Sequence, residues 1–138
     1  MVKEIIKDEN ILTQKSERVE LVEAKEIISD LLDTAKAHID NCVGLAAPQI
    51  GILKKVIVVR DGNAFFQMIN PTIIKRTGNQ FSSKEGCLSL DGERIVKRHP
   101  SILVSYQDIN GKKLTKTFNS LLSVIIQHET DHLNGKLI

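Results

Sequence analysis

The sequence predicts an α+β fold in which antiparallel β-sheets pack around a central C-terminal helix, with an amphipathic helix near the N-terminus. Three observations predict it. A 3.6-residue apolar period runs through residues 20–40, four β-prone stretches follow with turn residues between them, and a second helical pattern closes the chain at residues 120–134. Helix, several strands and a late helix is the order of an α+β protein rather than of alternating βαβ units.

In the first helix Leu21, Ala24, Ile27, Ile28, Leu31, Leu32, Ala35 and Ile39 stand among charged neighbours, which is the pattern of a helix lying on a core. The small residues Gly44-Leu45-Ala46-Ala47-Pro48-Gln49-Ile50-Gly51 come next. Their lack of bulk permits close backbone approach, either by a substrate or by another strand. Val56 to Val59, Phe65 to Ile69, Ile102 to Tyr106 and Leu114 to Phe118 are the β-prone stretches. Asp61-Gly62-Asn63 and Asn110-Gly111 supply turn chemistry for two hairpins, hence antiparallel pairing. In the late helix apolar residues at 121, 122, 125 and 126 form a face that 129 and 132 continue.

A chain of 138 residues is expected to form one domain, 1–138, with a core large enough to need no staple. Its 19 basic and 17 acidic residues are interspersed, so no basic stripe marks a nucleic-acid surface. Two cysteines, Cys42 and Cys87, make no disulfide framework, the N-terminus has no apolar run of signal length, and no stretch is long enough to span a bilayer. A soluble protein of the reducing cytoplasm, with no membrane partner, is the expectation.

The strongest chemical signal is Gln127-His128-Glu129-Thr130-Asp131-His132-Leu133, an HExxH pattern. At about 1.5 Å and 100° per residue, the two imidazoles leave one helix face about 6 Å apart along the axis and both reach one ion. Glu129 is turned roughly 100° from His128, where it addresses an activated water rather than the metal. A catalytic site of this kind needs a third protein ligand and an open position. Cys87, in Glu85-Gly86-Cys87-Leu88-Ser89, is the candidate, and an ordinary buried cysteine is the other reading of the same residue.

Three segments taken in order, Gly44-Leu45-Ala46-Ala47-Pro48-Gln49, Glu85-Gly86-Cys87-Leu88-Ser89 and Gln127 through Gly135, resemble the three motifs of peptide deformylase. The resemblance implies that Cys87, His128 and His132 hold one divalent metal ion, Fe²⁺ natively, with Zn²⁺, Ni²⁺ or Co²⁺ able to replace it. It implies that Glu129 is the general base, and that the Gln49 side-chain amide and the Leu88 backbone N–H stabilise the oxyanion. Gly44 lets an extended substrate pair alongside. Val43, Leu121, Val124 and Ile125 fall where the family lines its pocket for the substrate methionine, with core packing as the other reading. The implied substrates are N-formylmethionyl ends of nascent chains, from which formate is released.

The chain departs from the family in two places. Cys42 stands where the first motif has a glycine; it narrows the groove, acts as an oxidation-sensitive neighbour of Cys87, or simply packs inside. The sequence ends at Ile138, where many members continue into a helix, so a transient ribosome contact through such a helix is expected to be absent or made differently. Arg98 is expected to pair with an acidic residue such as Glu85, and Arg94 offers a substrate contact. The competing functions are a deformylase-like paralogue with altered or lost activity and an HExxH metallopeptidase. The latter draws its third ligand from downstream, where the six residues after His132 offer none.

Overall fold

The computed structural model describes residues 1–138. A short helix α1 (Glu9–Leu12), capped by the Asp8 carboxylate on the Asn10 amide at 2.9 Å, leads to α2 (Leu21–Ala37). Ala24, Ile27, Ile28, Leu31 and Ala35 bury one stripe of α2. The helix stops at Ala37, so Ile39, counted above in the apolar stripe, lies beyond it and is 37% exposed. The short strand β1 (Gly44–Ala46) runs into a 3₁₀ turn (Ala47–Ile50) that Gly51 ends at φ +86°.

The strands β2 (Val56–Asp61) and β3 (Ala64–Thr77) form a hairpin across Gly62-Asn63. A second hairpin joins β4 (Phe81–Cys87) to β5 (Leu90–Arg98), and a third joins β6 (Ser101–Gln107) to β7 (Lys113–Asn119). The helix α3 (Ser120–Leu133) follows directly. The main sheet is antiparallel in the order β1-β2-β3-β6-β7, while β4 and β5 make a separate two-stranded sheet. The fold is therefore α+β, with antiparallel sheets and a C-terminal helix.

Strand alternation divides the core between the two faces of the main sheet. Val56, Val58 and Ile69 face α2, in one cluster with Ile27, Ile28 and Leu31. Ile57, Val59, Met68, Ile102 and Val104 face α3, in a second cluster with Ile125, Ile126 and Leu133. Covered on both sides, β2 reads as the unbroken apolar run Val56–Val59, with all four residues at 0% exposure. The sequence reading missed β4 and β5 because Phe81-Ser82-Ser83-Lys84-Glu85-Gly86-Cys87 carries no apolar alternation. These strands pair by backbone ladder and by buried polar contacts instead.

One sequence expectation is corrected on α3. The sequence pattern puts residue 121 on the apolar face, yet Leu121 is 68% exposed, while Ser123 and every residue from Ile125 to Thr130 are buried. The main sheet lies on one side of α3, and a polar contact layer lies on the other. Gln127 makes that second layer: its side chain accepts from the His99 amide at 3.1 Å and donates to the His99 carbonyl at 2.8 Å. Beyond the helix, Gly135 adopts φ +74° with its α-carbon against the Thr13 carbonyl. A Cβ there would stand 2.5 Å from the Thr13 oxygen, so Gly135→Ala should lower stability by about 2 kcal/mol or more, read as a reduced midpoint of urea unfolding.

Candidate active site

Three elements meet at one point. α3 presents His128 and His132 one turn apart, the end of β4 presents Cys87, and the 3₁₀ turn presents Gln49. The Nε2 atoms of the two imidazoles are 3.2 Å apart, and the Cys87 Sγ is 3.3 Å from His132 Nε2. All three donor atoms lie within 4.8 Å of one another. A tetrahedral ion with bonds of about 2.0–2.1 Å to nitrogen and about 2.3 Å to sulfur spaces its ligands by roughly 3.3–3.6 Å. The donor set fits such an ion in both spacing and chemistry.

The polar surroundings of His128 orient it. Its Nδ1 is 2.7 Å from Glu85 Oε1, the arrangement in which a carboxylate holds a ligating imidazole in one tautomer. Glu85 in turn receives two hydrogen bonds from Arg98, at 2.9 and 2.7 Å, and Arg98 Nη1 donates to Asp131 at 2.6 Å. Arg98 is 4% exposed and Glu85 8%, so these charges face each other away from water. The expected Arg98–Glu85 pairing is thus present. Burial works to raise the Glu85 carboxyl, but the hydrogen bonds from His128 and Arg98 prevail and hold it at about 2. For His128, burial works downward, but the hydrogen bonds its ring N–H groups donate to Cys87 and Glu85 prevail and push it up to about 10. His132 is driven down to about 3 by burial and by the neighbouring His128 charge.

Glu129 stands apart from this network. It is 3% exposed, its Oε1 has no hydrogen-bond partner, and burial raises its carboxyl to about 7. Gly44 lies against it: a Cβ at that position would be 2.9 Å from both Glu129 Oε2 and Ile125 Cγ2. Gln49 is held by the Ala46 amide, which donates to its Oε1 at 3.0 Å, while its Nε2 turns to Cys87 Sγ at 3.2 Å.

A cavity of about 230 Å³ opens onto these groups. Its walls include Val43, Gly44, Gln49, Cys87, Leu88, Leu121, Val124, Ile125, His128 and Glu129. Core packing does not describe Val43 and Leu121, which are 52% and 68% exposed on the cavity mouth. His132, 1% exposed, sits behind the wall. Arg94 is not among the lining residues and instead donates to the Asp91 carbonyl at 3.1 Å. The sequence reading did not connect Glu85 to His128 or Asp131 to Arg98. Strand alternation, which sets Glu85 and Cys87 on one face of β4, and the i, i+3 spacing of His128 and Asp131 were the available signals.

Residues 2–138 match the sequence model of the family described as polypeptide deformylase. The chain belongs to that family. A peptide deformylase of Clostridium beijerinckii is 44% identical over 138 residues, which is 100% of both chains. Among solved structures, a Met-Ala-Ser-bound class I type b peptide deformylase from Acinetobacter baumannii superposes with a TM-score of 0.91 at 30% identity, covering 99% of this chain and 97% of that one. A peptide deformylase from Synechococcus elongatus in complex with actinonin gives 0.90 at 36% identity, covering 99% and 75%.

The Arg98 network yields a stability test of this deformylase-family site. Arg98→Leu leaves the Glu85 and Asp131 carboxylates without their buried partner, and such a loss costs about 3–5 kcal/mol. Chemical denaturation should show it, and a cost below about 1 kcal/mol would mean that the network does not hold the site.

Proposed function

We propose that the protein hydrolyses the N-terminal formamide of formylmethionyl polypeptides, releasing formate and a free amine. The observation that carries this reading is the convergence of Cys87, His128 and His132 beside a buried, unpaired Glu129, with Cys87, His128 and Glu129 in the wall of one cavity. Membership of the deformylase family and the Met-Ala-Ser complex of the Acinetobacter relative support it.

In this reading Cys87, His128 and His132 hold one divalent ion. Bound there, such an ion would supply Lewis acidity toward the formyl oxygen and toward a water near neutral pH. Glu129, with its carboxyl near 7, takes a proton from the attacking water and returns it to the departing amine. Gln49 Nε2 and the Leu88 N–H receive the charge that develops on the formyl oxygen. Ser89 contributes by positioning: its hydroxyl accepts from Gln49 Nε2 at 3.3 Å and its amide lies 3.4 Å from Cys87 Sγ. Val43, Leu121, Val124 and Ile125 form the apolar wall for the methionine side chain, and Gly44 offers its backbone to an extended peptide.

A soft thiolate ligand suits Fe²⁺, which we take as the native ion, and equally admits Zn²⁺, Ni²⁺ or Co²⁺. Residues 1–138 act as one catalytic unit on nascent chains in the cytoplasm, meeting the ribosome only transiently. No helix is long and apolar enough to cross a membrane.

The metal-loaded protein should release one formate per formyl-Met peptide and leave internal amides intact. Glu129→Gln should keep the metal and lose about 10²–10⁴-fold in kcat, because the amide cannot take the proton. Near-normal turnover by that variant, or cleavage of internal amides by the wild type, would contradict the reading.

A further inference from the structure

Gly44 lies on an edge strand, since β1 has β2 on one side and no strand on the other. The Arg60 amide donates to the Val43 carbonyl at 2.8 Å, so that carbonyl points towards β2. In an antiparallel ladder the next residue turns its N–H and C=O the opposite way. Gly44 therefore presents both groups to the free edge, on the groove side. Ala46, two residues on, faces the same way, and its amide is already taken by Gln49 Oε1 at 3.0 Å. The Gly44 carbonyl is thus an acceptor this edge offers a peptide.

That carbonyl already has one donor. The Cys42 thiol lies 3.3 Å from the Gly44 oxygen. Cys42 is 2% exposed and packs in the α2 cluster, so its sulfur approaches from the core. A carbonyl oxygen has two lone pairs, and a donor on the core side leaves the other for the groove. Burial, with the Glu129 charge behind it, pushes the thiol up to about 12, so it stays protonated and able to donate. The backbone needs such a restraint. Gly44 carries no side chain of its own, and a Cβ is excluded by Glu129 and Ile125 at 2.9 Å.

We propose that Cys42 is a positioning residue, whose S–H bond to the Gly44 carbonyl holds the groove edge in the orientation that accepts an N–H from an extended peptide. The proposal rests on the deformylase reading of the groove. Pre-organising an acceptor in this way improves binding rather than chemistry, because Cys42 touches neither the reacting atoms nor the donor set.

The test pairs kinetics with infrared spectroscopy on metal-loaded protein, using formyl-Met-Ala-Ser as the probe. Cys42→Ala should raise KM about two- to fivefold, the range expected for one weak hydrogen bond, with kcat changed by less than about twofold. Cys42→Ser keeps a donor and should return KM to near the wild-type value. With Cys87 ligated as thiolate, Cys42 is the only S–H in the chain, and its stretching band should lie at the lowered frequency of a hydrogen-bonded thiol. An unchanged KM in Cys42→Ala, a serine variant as impaired as the alanine one, a fall in kcat at fixed KM, or a band at the free-thiol frequency would each overturn the proposal. Thermal melts identify a variant that has merely lost its fold, in which case the band decides. Failure of the wild type to release formate would instead contradict the proposed activity, and the band still reports the hydrogen bond.

Discussion

One buried guanidinium organises the centre of this molecule. Arg98, at the end of β5, binds Glu85 on β4 and Asp131 on α3, and Glu85 passes the orientation on to His128. Each of these charges would be costly to bury alone. Together they tie the small two-stranded sheet to the helix at the point where Cys87 has to meet the two imidazoles. Hydrophobic contact contributes less, because β4 and β5 themselves contribute no residue to either apolar core cluster and only Leu88, in the turn between them, packs against one. Polar complementarity sets the position of this sheet, and so the reach of the Cys87 sulfur.

The main sheet has a different role. Its two faces are filled by α2 and α3, which makes β2 fully buried and leaves β1 as an edge beside the cavity. An open edge is normally a liability, since its unpaired backbone groups invite another strand. Here the edge is only three residues long, and its first residue, Gly44, lies against Glu129. α3 on one side and the end of β4 with the turn after it on the other line the cavity beside this edge.

Much of this was legible in the sequence, and the failures have a common cause. Apolar patterning located α2, α3 and the strands Val56–Asp61, Ser101–Gln107 and Lys113–Asn119: the helices and Ser101–Gln107 bury periodic stripes, Val56–Val59 is a continuous buried run, and Lys113–Asn119 half-buries only Leu114 and Phe118. The same signal was blind to β4 and β5, whose alternation is polar. It misjudged Leu121, which has apolar chemistry but faces the cavity mouth. The candidate donors were readable because helical spacing constrains His128 and His132, whereas Cys87 needed a likeness to other motifs to be singled out. The Glu85–His128 contact spans 43 positions in sequence and comes from tertiary packing that no local pattern encodes.

Everything proposed for this site depends on one ion bound by one sulfur and two imidazoles. X-ray absorption at the metal edge of the zinc- or iron-loaded protein tests that directly. The expected spectrum contains a single sulfur scatterer at about 2.3 Å and imidazole nitrogens at about 2.0–2.1 Å for zinc. A shell of oxygen and nitrogen scatterers without sulfur would contradict it, because Cys87 would then not be a ligand and the convergence of β4 with α3 would need another explanation.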